Sequence, residues 1–231
     1  MPKQRPLWKT LWYNFLHFNC RLAAIVLFRI RVTGRENLPP EGPLLVCSNH
    51  QSHFDPVLVG LVLDRRLNFL ARDTLFAFAP FRWLIQSLDA IPIDREGVGL
   101  AGIKETLKRL KRGEGVLIFP EGTRTADGQI SRLKPGFIAL ARRGKVALLP
   151  MAIDGAYDAW PRRQLLPSVA RIHLVIGETL HPEQIAELND EALTQEVERR
   201  IRACFRVARE GRIANINASD AQAVASVAVD R

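Results

Sequence analysis

The segment Asn49-His50-Gln51-Ser52-His53-Phe54-Asp55 sets an imidazole and a carboxylate five positions apart, directly after the apolar run Leu44-Leu45-Val46 and directly before Pro56. Imidazole is the side chain best suited to accept a proton near neutral pH. A carboxylate on its second ring nitrogen sets the tautomer and stabilises the protonated form. His50 and Asp55 therefore read as a general-base pair mounted where a strand ends and a helix begins. Three further polar clusters also follow or close apolar runs: Ala71-Arg72-Asp73-Thr74-Leu75-Phe76, Ile91-Pro92-Ile93-Asp94-Arg95 and Phe119-Pro120-Glu121-Gly122-Thr123-Arg124. Brought to one place, the four clusters would hold a base, a supporting acid, several guanidinium groups and one more carboxylate. That set suits attack by a hydroxyl on an activated acyl group with a phosphate held nearby. His50 would take the hydroxyl proton. Arg95, with Arg72 or Arg124, would clamp the phosphate through forked donors. Glu121 would accept hydrogen bonds from the acceptor hydroxyl, and Gly122 would allow a tight turn at the pocket wall.

The elements that must position these residues follow from apolar patterning. Leu44–Ser48, bounded by Gly42-Pro43 and Asn49, reads as a buried strand, and Leu67–Ala71, Ala90–Ile93, Gly115–Phe119, Val146–Ile153 and Arg171–Ile176 as others. Asp55-Pro56 looks like a helix start. Leu100, Ile103, Leu107 and Leu110 recur at helical spacing, with Gly113 as the stop. Glu183–Glu210 predicts one or two amphipathic helices. Strands alternating with helices make this an α/β chain: a single-domain sandwich with a mixed, mainly parallel sheet. In such sheets ligands collect beyond the carboxyl ends of the strands, where all four polar clusters fall. The domain is expected over residues 35–212, with a flexible tail or frayed helix over 213–231.

The 231 residues, 47% hydrophobic and 25% charged, suit one domain with a sizeable core. The formal net charge of +9 favours anionic partners: phospholipid surfaces, nucleic acid or phosphorylated substrates. Cys20, Cys47 and Cys204 are too few and too irregularly spaced for a disulfide framework or zinc ribbon, and reduced thiols in the cytosol are expected. Residues 1–34 carry Lys3, Arg5, Lys9, Arg21, Arg29 and Arg31 among Leu, Trp, Tyr and Phe, with no acid. Arg21 breaks the apolar run below spanning length, and no cleavage site of a signal peptide follows. A pair of amphipathic helices lying on an anionic membrane surface is the expectation, against the plainer reading that these aromatics pack on the domain.

The blocks Asn49–Asp55, Ile93-Asp94-Arg95, Phe119–Arg124 and Leu148-Leu149-Pro150-Met151-Ala152-Ile153 resemble, in order and with plausible gaps, the four blocks of the glycerophosphate and lysophospholipid acyltransferase family. His-x4-Asp alone is a weak signal. With Pro-Glu-Gly-Thr-Arg about seventy residues downstream it is highly specific. The resemblance implies an α/β acyltransferase domain with an N-terminal helical membrane anchor, at the cytoplasmic face of a membrane. It implies His50 and Asp55 as catalytic residues, with Arg95, Glu121, Gly122 and Arg124 shaping the glycerophosphate site. Arg72, Thr123 and Lys134 join these as candidate substrate-binding residues. The acyl donor would be a CoA or acyl-carrier-protein thioester, the acceptor 1-acylglycerol-3-phosphate or a related lysophospholipid, with no cofactor and no metal. Arg72 stands where family members often carry Lys, and Pro135 separates Lys134 from Gly136; both bear on the acceptor more than on the reaction.

Plainer readings stand beside these. Asp55 could simply cap a helix beside a structural His. His53 could join His50 and Asp55 in a metal site, although no other His or Cys falls at ligand spacing. Ser52 could be a nucleophile, but no Gly-x-Ser-x-Gly elbow surrounds it, and a turn or capping hydroxyl is the simpler role. Arg95 could pair with Asp94 or Glu96, Glu121 with Arg124, and Lys134 could sit in an ordinary surface turn. Lys108, Arg109, Lys111 and Arg112 fit a solvated helix face, or contact with a carrier protein or headgroup. At the level of function, a thioesterase or lysophospholipase using water, and a non-catalytic basic membrane or nucleic-acid module, are the rivals. No nucleic-acid motif accompanies the charge, and nucleic acid is not an expected partner.

Overall fold

A central strand, β2 (Leu44–Ser48), is buried at every position, as a strand covered on both faces must be. Its neighbours are β5 (Gly115–Ile118) and β6 (Ala147–Asp154), both parallel to it. The computed structural model describes residues 7–63, 65–72, 76–77, 79–88, 90–93 and 100–229. Around β2 it arranges β1 (Arg31–Thr33), β3 (Leu67–Arg72), β4 (Ala90–Ile93) and β7 (His173–Ile176) into one seven-stranded sheet of order β1-β7-β6-β2-β5-β3-β4. Among the strand pairings of the described residues, β6–β7 alone is antiparallel. The sheet is thus mixed and mostly parallel, as expected. Successive side chains of β2 alternate between two cores: Leu45 and Cys47 on one side, Leu44 and Val46 on the other. Helices α4 (Leu100–Leu110), α5 (Gly136–Gly144), α7 (Pro182–Glu187) and α8 (Asp190–Val229) cover the first core; α2 (Asp55–Val62), α6 (Ala156–Ala159) and the end of α1 (Leu7–Phe28) cover the second. A further helix, α3 (Ala79–Ser87), precedes β4.

Two terminal expectations change. The N-terminal segment is one uninterrupted helix, α1, rather than a pair. Its polar stretch His17–Arg21 does not break it, because Ala24 and Phe28 continue the face that packs on the domain, where both are buried. At the other end, α8 runs on through the expected tail to Val229. Ala214, Ala218, Ala221, Ala223, Ala225 and Ala228 recur there, and alanine has the highest intrinsic helix propensity. The basic run on α4 is only partly a solvated face. Arg109 lies half-buried, its Nε 2.8 Å from Glu105 Oε1 and its Nη1 donating to Asn68 Oδ1 at 2.8 Å, while Lys111 and Arg112 are exposed.

Candidate active site

The loop from β2 to α2 places His50 and Asp55 against each other because α2 begins at Asp55 itself, with Pro56 in its first turn. A carboxylate at that position points back toward the amide groups just upstream. Asp55 Oδ2 accepts from the backbone N–H of Gln51 at 2.6 Å and of Ser52 at 2.7 Å, and lies 2.7 Å from His50 Nδ1. An ionised carboxylate only accepts, so Nδ1 carries the proton and Nε2 presents its lone pair. Phe119, the first residue after β5, stacks on the His50 ring at 3.9 Å between centroids and 11° between planes. Asp55 fixes rotation about one axis and Phe119 fixes the plane. The Asp55 carboxylate is fully buried, while the His50 side chain keeps 18% of its surface open to solvent.

Glu121 sits where the sequence led one to expect a substrate contact, but it is 3% exposed and both oxygens are occupied. Oε1 accepts the His50 backbone N–H at 2.7 Å. Oε2 accepts from the Ser131 backbone N–H at 2.8 Å and the Ser131 hydroxyl at 2.6 Å. Nor does it pair with Arg124 as in the plainer reading. Arg124 instead contacts the His53 ring, which also lies 4.9 Å from the Trp160 ring. Partial burial, and then the Arg124 guanidinium, hold the His53 imidazole below its usual pKa. A guanidinium beside His53 repels a cation there, and among the described residues no group of three or more His, Cys, Asp or Glu is placed to hold a metal ion.

Gly122 adopts a φ of +73°, open to glycine and costly for other residues, and a Cβ added there would come 3.0 Å from Lys134 Nζ. The exposed Lys134 ammonium thus lies over the Gly122 turn, and its backbone N–H donates to Pro120 O at 2.8 Å. Thr123 is exposed on the same turn. Ser52 holds its own loop: its hydroxyl donates to Trp160 O at 2.8 Å and accepts from the Phe54 N–H at 3.1 Å. Those contacts match the turn reading. Asp94 and Arg95 lie outside the described residues, as does the side chain of Arg72, whose backbone ends β3.

Several residues that build the site carried no assignment from the sequence. Asn49 bridges β2 to β6, its amide donating to Ile153 O at 2.9 Å and accepting from Ile153 N–H at 2.8 Å. Gln51 donates to Gly128 O at 2.8 Å, and Thr125 N–H donates to His50 O at 2.8 Å. Asn49 and Gln51 lay inside the His-Asp block and Ser131 three residues before Lys134, so each was visible as a polar residue; its partner was not.

Residues 29–154 match the family model described as Acyltransferase. The 1-acyl-sn-glycerol-3-phosphate acyltransferase of Bacillus subtilis is 32% identical over 178 residues, covering 75% of this chain and 86% of that one. The protein of the same name from Pseudomonas aeruginosa is 34% identical over 190 residues, covering 78% of this chain and 72% of that one. The crystal structure of the 1-acyl-sn-glycerophosphate (LPA) acyltransferase PlsC from Thermotoga maritima shares the fold with a TM-score of 0.74 at 26% identity, covering 85% of this chain and 79% of that one. The matched segment opens at the end of α1, contains the His50–Asp55 pair and the Glu121 turn, and closes at the end of β6, so the chain belongs to the acyltransferase family.

Proposed function

We propose that the chain transfers a fatty acyl group from a CoA or acyl-carrier-protein thioester to the free hydroxyl of 1-acylglycerol-3-phosphate or a closely related lysophospholipid. The observation that carries this reading is the 2.7 Å contact between His50 Nδ1 and Asp55 Oδ2 at the carboxyl end of the central strand, with the cationic groups of Arg124 and Lys134 on the neighbouring turn. The relatives named above are 1-acyl-sn-glycerol-3-phosphate acyltransferases, and they support the same acceptor.

His50 Nε2 takes the proton of the acceptor hydroxyl as the oxygen attacks the thioester carbonyl. Asp55 stabilises the imidazolium that forms. The tetrahedral intermediate collapses, the C–S bond breaks, and His50 returns the proton to the leaving thiolate. Transfer is direct, because the Ser52 hydroxyl is committed to its turn. Lys134 and Arg124, with Arg72 and Arg95, hold the acceptor phosphate. Glu121 acts as a positioning residue: by gripping the His50 and Ser131 amides it sets the base against the turn that carries the cations.

The same reading places the enzyme peripherally on an anionic membrane, on the cytoplasmic face where acyl thioesters are supplied. Among the described residues no helix is long and apolar enough to cross a membrane. Yet Leu7, Trp8, Leu11, Phe15, Phe18, Leu22, Ile25 and Val26 are exposed on α1, and at 100° per residue they form one stripe about a quarter-turn wide. Away from the stripe Ala24 and Phe28 are buried against the domain and Trp12 meets Trp83, while Leu27 is also exposed. An apolar stripe turned to water on a basic helix fits an interfacial one.

A panel of acyl-CoA and acyl-carrier-protein donors against lysophosphatidic acid and larger-headgroup lysophospholipids, read by free thiol release and mass spectrometry of lipids, tests the proposal. Thiol release that depends on lysophosphatidic acid and yields the diacyl product is expected. Release independent of any acceptor would mean hydrolysis and would overturn it.

A further inference from the structure

We propose that the 161–171 loop, which joins α6 to β7, is a second membrane-inserting element that docks on an anionic lipid bilayer beside α1. The loop presents three large aliphatic side chains almost wholly to solvent: Leu165 at 87%, Leu166 at 71% and Val169 at 78%. It does so on a closed frame. Trp160 Nε1 donates to Gln164 O at 3.0 Å, Gln164 Nε2 to Ser168 Oγ at 2.6 Å, and Ser168 N–H to Ala159 O at 2.7 Å. A loop whose ends are tied together and whose apolar side chains face outward forgoes the burial that would stabilise it in water.

Two observations select a bilayer as the occupant. The first is charge. Arg162 and Arg163 are exposed on the loop, and no acid occurs from residue 159 to 177. Aliphatic tips flanked by guanidinium groups fit the acyl and phosphate layers of an anionic membrane together. A second copy of this chain, itself at +9, would bring like charge to those arginines. The second is position. The loop ends beside the C-terminal end of α1, where Ile172 N–H donates to Phe28 O at 3.1 Å. It starts from Trp160, whose ring meets Phe54 at 4.8 Å and His53 at 4.9 Å, while Phe54 meets Phe28 at 5.2 Å. This row of rings links the loop, the end of α1 and His53 on the turn that carries His50. With both elements in the interface, the acceptor would reach His50 from the bilayer without crossing water.

The inference rests on the reading of α1 as bilayer-facing, and the test separates the two. Full-length protein is floated with vesicles of phosphatidylcholine alone or with about a third phosphatidylglycerol, and each variant's melting temperature is recorded. The double variant Leu165→Asp/Leu166→Asp is expected to lower the partition coefficient by about tenfold or more at an unchanged melting temperature. Arg162→Gln/Arg163→Gln should weaken binding only to the anionic vesicles, and Leu165→Trp should strengthen binding to both. Leu11→Asp/Phe15→Asp probes α1. If that variant fails to float while the loop variants float like the parent, the loop inference is overturned and the α1 reading stands. If the loop variants alone fail to float, the loop binds lipid without α1, the α1 reading falls, and the placement of the loop as a second element beside α1 is overturned with it. Loop variants that alter only self-association, or only binding to an acidic carrier protein, would also overturn the inference.

Discussion

Asp55 does three jobs with one oxygen, and this separates its two possible roles. As a mere helix-start carboxylate it would need only the Gln51 and Ser52 amides. The additional 2.7 Å contact to His50 Nδ1 sets the imidazole tautomer. The Gln51, Ser52 and His50 donors all meet Oδ2, while Oδ1 has no hydrogen-bond partner among the described residues. Asp55→Asn keeps the size and can present its amide oxygen to the same three donors, but it lacks the negative charge that stabilises the imidazolium formed when His50 takes a proton. The variant is expected to fold, to bind acceptor with nearly unchanged KM, and to lose kcat by roughly a hundredfold or more. Steady-state kinetics with a thiol-reactive dye will show the split; a purely structural Asp55 would leave kcat intact or lower stability instead. The pair was legible in the sequence because both members lie within one loop. The partnership of Glu121 with Ser131 and His50 was not, because it is set by the stagger of β2 against β5, and a carboxylate in a turn looks the same whether it faces substrate or backbone.

At the scale of elements, α8 is held down by a buried polar cluster as well as by its apolar face. Arg212 Nε lies 2.5 Å from Asp154 Oδ2, and Arg209 lies 3.4 Å from Oδ1 of the same carboxylate. Asp154 ends β6, directly opposite His173 on β7. Gly211, between the two arginines, passes so close to His173 that an added Cβ would stand 2.6 Å from ring atoms Cε1 and Nδ1. His173 cannot readily yield, since it is buried with Nε2 2.8 Å from Thr33 Oγ1. In an ordinary helix interior Gly→Ala stabilises by about 1 kcal/mol. Here Gly211→Ala is expected to destabilise by about 1–3 kcal/mol through overpacking, read as a fall in denaturation midpoint; a rise would contradict the packing described. The sequence displayed β2 to β7 as short apolar runs but missed β1: Arg31-Val32-Thr33 has no apolar run to mark it and was placed with the N-terminal segment, whereas it pairs with β7 at the sheet edge. The sequence also split α1 into a pair and left residues 213–231 between a flexible tail and a frayed helix. Continuity of α1 depends on Ala24 and Phe28 finding a surface to cover, and α8 extends past Ala208, the last buried apolar residue among those described, where large apolar residues are few.

Across the whole molecule, charge and apolar exposure coincide. A chain at +9 carries its exposed aromatic and aliphatic stripe on α1 and a second apolar tip on the 161–171 loop, both among arginines. Electrostatic attraction brings such a protein to an anionic surface, and apolar contact retains it. Raising salt from about 0.1 M to 1 M shortens the Debye length from ~10 Å to ~3 Å. Partition onto anionic vesicles is therefore expected to fall strongly with salt, while the weaker partition onto neutral vesicles holds. Flotation across a salt series checks this, and salt-independent binding to anionic vesicles would contradict it. The basic composition was plain in the sequence, but it left lipid, nucleic acid and phosphorylated substrate open. The placement of exposed apolar residues beside the charge, which only folding determines, favours lipid.

The central claim is that His50 is the base for acyl transfer onto a phosphate-bearing lysolipid. Its most direct test is mass-spectrometric detection of diacylglycerol phosphate made from acyl thioester and 1-acylglycerol-3-phosphate, comparing the parent with His50→Ala at matched folding. The parent is expected to form product, and the variant, with an unchanged melting temperature, to lose at least a hundredfold in rate. Product formed by His50→Ala at the parental rate would contradict it.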